Sequence, residues 1–197
     1  MNQITAEIPH VKSLPAEDEE RELAARIARG ESKAFEQLIE RYGQRVVRLA
    51  GRLLNWSAGA EDVAQDVFLA VLEKRTVFRG EARLWTYLTT ITVNRCRSLR
   101  RRRWIYERAL RLIASYRNQP IVADFLHERD ILASEIRAAV GKLPDKYREV
   151  VVLRYFEELK TSEVAQVLGI KTNTVEVRLS RARKMLEDTL GHLADSL

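Results

Sequence analysis

The chain lacks most of what marks a secreted, metal-bound or catalytic protein. Its one cysteine, Cys96, allows no intramolecular disulfide, and no CxxC pair occurs. The three histidines, His10, His127 and His192, stand far apart, so no metal site and no cofactor are expected. Glycine (8) and proline (4) are sparse, which disfavours an all-β or low-complexity chain. No apolar run approaches the ~18 residues that a membrane span needs. The start of the chain shows no basic segment followed by an apolar one, so no secretory signal is read and a cytoplasmic protein without membrane association is expected. Neither a nucleophile–base pair nor a Gly-rich phosphate loop is found, so no catalytic residue is assigned and no enzyme is expected.

What is present is apolar residue, at 46% of 197, and basic charge. That length suits one or two domains with a real core. Lys+Arg (34) exceed Asp+Glu (28), a balance that favours a polyanionic partner. The charge is uneven. Residues 95–111, RCRSLRRRRWIYERALR, hold eight arginines and one glutamate, whereas 16–22, AEDEERE, are acidic.

The apolar period is helical throughout. Residues 1–16 hold two prolines and no sustained period, and read as a flexible tail. A helix is expected from Glu17 to Arg29, stopped by Gly30. A second starts near Ser32, a plausible cap, with Phe35, Leu38, Ile39, Tyr42, Val46, Leu49, Ala50 and Leu53 at three/four spacing. After a break at 55–59, a third runs from Ala60 to about Lys74. Residues 76–84 form a loop around Gly80, and a fourth helix begins near Leu84 and enters the arginine run, with Trp104 placed to cap the core. Asn118-Gln119-Pro120 is the strongest break of 106–130, read as a linker. Further helices are expected at 131–140 and 145–158. No strand alternates convincingly and no repeat is found. The fold class is therefore all-α: two small helical domains, 17–105 and 131–197, joined by the linker.

Residues 161–186, TSEVAQVLGIKTNTVEVRLSRARKML, are the most informative stretch. Thr161 is a good N-cap, with Glu163 in the first turn, where the helix dipole favours an anion. Val164, Ala165 and Leu168 form an apolar stripe. Gly169 stands where a left-handed residue ends a helix, and Thr172 caps the next. There Val175, Leu179, Ala182, Leu186 and Leu190 make an inward face, leaving Thr174, Val177, Ser180, Arg181 and Lys184 outward, with Arg178 at the edge. This is the layout of a helix-turn-helix whose second helix enters the DNA major groove. An ordinary helical hairpin with a solvated basic face is the alternative reading of this stretch alone.

The order of three segments resembles a family. EDVAQDVFLAVL at 61–72, FRGEARLWTYLTTITVNRCRSLRRRR at 78–103 and LPDKYREVVVLRYFEELKTSEVAQVLGIKTNTVEVRLSRARKML at 143–186 resemble the extracytoplasmic-function (ECF) group of bacterial RNA polymerase sigma factors. The first two look like its sigma-2 domain and the third like its sigma-4 domain. The resemblance implies a protein that binds core RNA polymerase and directs it to promoters. Sigma-2 would recognise and melt the minus-ten element, and sigma-4 would read the minus-thirty-five element as duplex. An anti-sigma factor is a further partner that the resemblance suggests.

Each part has its chemistry. For the minus-thirty-five element, Thr172, Thr174, Val177, Arg178, Ser180, Arg181 and Lys184 are the candidates. Arginine can pair bidentately with guanine and valine can meet a thymine methyl, while Arg183 and Lys184 suit phosphate. For the minus-ten element, single-stranded bases call for aromatic faces and a basic track. The candidates are Phe78, Arg79, Trp85, Tyr87, Asn94, Arg97, Arg100 and Arg101, with core packing an equal reading for Trp85 and Tyr87. Asp62, Gln65, Asp66 and Leu69 match the family's polymerase-binding surface and lie on one side of the third helix. The chain departs from the family in three places. Leu84-Trp85-Thr86-Tyr87 stands where Phe-Arg-Thr-Trp is frequent, Ser98 where aspartate is common, and Val93 where arginine precedes the asparagine. Two other readings are a helix-turn-helix regulator that is not a polymerase subunit and a helical adaptor that binds proteins only.

Overall fold

The computed structural model describes residues 17–73, 83–113 and 131–194. Phe78 and Arg79, and most of the expected linker, lie outside the described residues. Eight α-helices follow in order among those described: α1 Glu17–Ala28, α2 Ser32–Leu53, α3 Ala60–Glu73, α4 Leu84–Ile113, α5 Ile131–Lys142, α6 Asp145–Val151, α7 Thr161–Leu168 and α8 Thr172–Ala194. A π-helical turn, Val152–Phe156, extends α6. No strand occurs among the described residues.

Helix α2 is the centre of the first unit. Its inward stripe, Ala34, Leu38, Tyr42, Val46, Leu49, Ala50 and Leu53, is fully buried and follows the helical repeat. Against it pack α3, through Val63, Val67, Phe68 and Val71, and α4, through Leu84, Trp85, Leu88, Val93 and Cys96. Helix α1 closes this bundle with Leu23 and Ile27. The acidic segment read at 16–22 supplies one buried member, Glu20. Its carboxylate accepts the Tyr42 hydroxyl at 2.7 Å and the Leu84 N–H at 3.2 Å. It thereby satisfies an orphan donor at the start of α4, from a different helix.

The second unit buries Val150, Val151, Val152 and Leu153 of α6 and its π turn against Val164, Val167 and Leu168 of α7 and Val175, Leu179 and Ala182 of α8. Four local expectations shift. Helices α2, α7 and α8 begin at Ser32, Thr161 and Thr172 themselves, one residue beyond the cap position given to those side chains. At α7 the capping falls to Glu163, which accepts the Lys160 N–H at 2.7 Å. The fourth helix runs to Ile113, so 106–113 continue α4 rather than the linker. Trp104 is 54% exposed on that extension and caps no core.

The two units pack against each other, α7 on α4 and α6 with its π turn on α2. Gly141, near the end of α5, meets Asn55 there. A Cβ at 141 would displace the Asn55 side chain from its present position.

Candidate nucleic-acid and polymerase interfaces

The helix-turn-helix is built as its sequence reads. Val164, Ala165, Val167 and Leu168 bury one face of α7. Gly169 then turns the chain with φ 66°, and the Ile170 N–H returns to the Ala165 carbonyl at 3.0 Å, closing the helix end. Helix α8 buries Val175, Leu179 and Ala182 and leaves Thr172, Val177, Ser180, Arg181, Arg183 and Lys184 exposed, with Thr174 and Arg178 half-exposed. Val177 is 44% exposed, an apolar side chain held in water on a basic face. Arg181, with Lys146, puts positive charge beside the Tyr147 phenol of α6 and holds it below its usual pKa. The seven residues assigned to duplex reading therefore lie on one helix and are open or partly open to solvent.

The minus-ten set divides. Asn94 and Arg101 are exposed on α4. Trp85 is a core residue, 2% exposed, so its face is closed to a base in this conformation. Its ring stacks on Tyr42 with centroids 6.0 Å apart, and the Arg45 guanidinium lies 3.9 Å from its centroid. The cause is register: Trp85 and Leu88 share the inward side of α4 with Val93 and Cys96. Tyr87 is half-buried, and burial raises its phenol above the usual pKa.

Arg97 and Arg100, read as members of an open basic track, are tied instead to the second unit. Arg97 donates to both oxygens of Glu149, at 3.1 and 2.7 Å. Arg100 donates to the same carboxylate at 2.6 Å and to the Leu53 carbonyl at 3.0 Å, and pairs with Asp145 at 3.2 Å. Burial pushes the Glu149 carboxyl up, but the hydrogen bonds and charges of Arg97 and Arg100 outweigh it and leave the group below its ordinary value. Glu157, which follows the π turn, is held in the same way by α2. Arg45 pairs with it at 3.1 Å and Arg52 at 2.8 Å, while Arg52 also lies 4.9 Å from the Phe156 ring centroid. For Glu157 burial prevails over the two arginines and raises the carboxyl.

Sequence reading passed over Glu149, Glu157, Arg45 and Arg52. One signal was available. Glu149 stands between Tyr147 and Val150–Val151–Val152, in a run whose residues are all buried, and an acid there requires a cationic partner.

Helix α3 turns Asp62, Gln65, Asp66 and Leu69 outward together, while Val63, Ala64, Val67, Phe68, Ala70 and Val71 are buried. Leu69 is 54% exposed, so this side is an acidic strip with an apolar centre. Among the described residues no group of three or more His, Cys, Asp or Glu could hold a metal ion, and no helix is long and apolar enough to cross a membrane.

Two family models match, one to each unit: Sigma-70 region 2 over residues 38–105 and Sigma-70, region 4, over 133–186. The ECF RNA polymerase sigma factor SigW of Bacillus subtilis is 29% identical, across 85% of this chain and 94% of that protein. RNA polymerase sigma factor CnrH of Cupriavidus metallidurans is 30% identical, across 91% and 97%. The structure of CnrH in complex with the cytosolic domain of CnrY matches with a TM-score of 0.65 and covers 88% of this chain and 97% of that one. The sigma factor RpoE of Bartonella quintana, solved with the anti-sigma factor NepR, shares the fold at TM-score 0.66 and 23% identity, covering 81% and 98%. Fold and helix-turn-helix thus define a two-unit transcription protein. The chain belongs to the extracytoplasmic-function group of bacterial RNA polymerase sigma factors, which direct transcription initiation.

Proposed function

We propose a division of labour among three surfaces of this sigma factor. The α3 strip of Asp62, Gln65, Asp66 and Leu69 docks on core RNA polymerase. The outer face of α8 reads the minus-thirty-five element, with Val177, Arg178, Ser180 and Arg181 toward base edges and Arg183 and Lys184 toward phosphate. Asn94 and Arg101, on the open side of α4, serve the minus-ten element together with Phe78 and Arg79. The protein acts in the cytoplasm, carries no catalytic residue of its own, and is a target for an anti-sigma factor, as the pairing of RpoE with NepR suggests.

The observation that carries this reading is the joint exposure of an acidic–apolar strip on α3 and a basic–apolar face on α8, each on a helix whose other side is buried in the core. Carboxylates beside an exposed leucine suit a helical protein partner, whereas arginines and a valine suit a major groove. The test is capture of core polymerase by the tagged full chain. Asp66→Arg is expected to abolish capture at an unchanged helical circular-dichroism signal. Undiminished capture would remove the strip from the account.

A further inference from the structure

Four arginines of the first unit, Arg45 and Arg52 on α2 and Arg97 and Arg100 on α4, face the second unit side by side. Between them they hold two carboxylates, Glu149 and Glu157, each 3% exposed. Both acids come from the second unit and all four arginines from the first.

Two features set this contact apart from an ordinary structural ion pair. The first is its imbalance. Counting Arg148 and Asp145 of the second unit, which join the Glu149 cluster, five guanidinium groups meet three carboxylates in two clusters. The face thus keeps an excess of positive charge even when covered. The second is its chemistry. A planar guanidinium fork binds carboxylate and phosphate in the same bidentate way. Arg97 makes that fork on Glu149, through Nε at 3.1 Å and a terminal nitrogen at 2.7 Å. Arg97 and Arg100 also belong to the arginine run, whose Arg101 and Arg102 are exposed one and two residues beyond Arg100.

We propose that Arg45, Arg52, Arg97 and Arg100 form a binding surface for the duplex DNA backbone, and that Glu149 and Glu157 occupy it in place of phosphates while the two units are closed. The proposal rests on the reading of Arg97 and Arg100 as members of a basic track for DNA, and it adds Arg45 and Arg52 of α2 to that track. Its consequence is competition. The second unit and the DNA backbone cannot hold these arginines together, so release of the second unit uncovers the surface. The strip on α3 and the outer face of α8 stay exposed in the closed form, so a partner can reach either before the units part.

The test uses the full chain without polymerase and a random-sequence duplex as probe. Small-angle scattering reads opening, and fluorescence anisotropy over a salt series reads DNA affinity. The E149Q/E157Q double variant is expected to have a larger radius of gyration and to bind the duplex roughly tenfold tighter. It should also show a steeper salt dependence, since each added phosphate contact contributes about −0.9 to the slope. Adding R45A and R52A to that variant should return part of the gain. Gly141→Ala provides a second route, because it strains the contact with Asn55 and leaves every charge in place. Opening in either variant without a gain in affinity would overturn the proposal, and so would failure of both to open. Core-polymerase capture by the same proteins reports separately on the α3 reading. Lost capture with the DNA gain intact would strike that reading and leave this one standing.

Discussion

Trp85 shows how one residue can be taken for a contact and serve as a support. Its ring lies between the helices of the first unit, stacked on Tyr42 and covered by Arg45, and Tyr42 is fixed in turn by Glu20. Trp85→Ala is therefore expected to cost about 3–5 kcal/mol in stability, the range for truncating a buried large aromatic residue. Urea denaturation checks this, and a loss of a few tenths would place the ring outside the core. Cys96 is similarly enclosed. Burial pushes its thiol up to about 12, so it should resist thiol reagents at neutral pH until the chain unfolds. Arg181 is the opposite case, exposed on α8. Arg181→Ala should weaken minus-thirty-five recognition by roughly 1–3 kcal/mol, measured as the affinity difference between promoter and scrambled duplex. Equal loss on both sequences would reassign it to phosphate.

At the scale of elements, period and punctuation were legible because they are local. The stripes of α2 and α8 and the glycine at 169 were each visible as spacing; the glycine is left-handed and most of each stripe is buried, but Ile39 is exposed and Phe35, Leu186 and Leu190 are only partly covered. Gly169 has nothing within 4 Å of a Cβ position, so Gly169→Ala should cost only the backbone penalty of a left-handed residue, roughly 1–2 kcal/mol. A thermal melt reads it. Two things were not legible. Capping depends on which backbone N–H is left over: Glu163 takes the role that Thr161 suggested for itself, and Glu20 reaches the first N–H of α4 from another helix. The end of α4 was also hidden, because an arginine-rich solvated helix offers no apolar stripe to mark where it stops. The π turn after α6 belongs here too. It widens the helix by one residue per turn, and the Glu157 N–H bonds back five residues to Val152 at 3.1 Å. That acid then meets α2.

For the molecule as a whole, the contact between units is the feature that composition and spacing could not disclose. Its four arginines lie 49 to 112 residues from the two glutamates they hold. The sequence shows arginines on one side and acids on the other, with no local pattern to join them. The contact makes stability depend on pH in a defined sense. Glu149 sits below its ordinary value of 4.5, so its contribution is fully present above that value and is lost as pH falls through the lower folded value. Glu157 works in the other direction. Its carboxyl is raised by burial, so its contribution is greatest below the ordinary range and declines as pH rises through the raised value. The difference in unfolding free energy between the native chain and Glu149→Gln isolates the first effect. It should be steady near neutrality, at about 1–3 kcal/mol, and should shrink as pH falls below the carboxylate range. A difference independent of pH would show that Glu149 bears no charge at this contact.

The account's central claim is that α3 delivers this chain to polymerase and the two units then position it at promoters. Reconstituted transcription with core enzyme on a pool of genomic fragments tests it most directly. The native chain should produce discrete start sites that share two upstream elements at fixed spacing, and Asp66→Arg should produce none. Start sites made equally well by Asp66→Arg, or none made by the folded native chain that binds core, would contradict it.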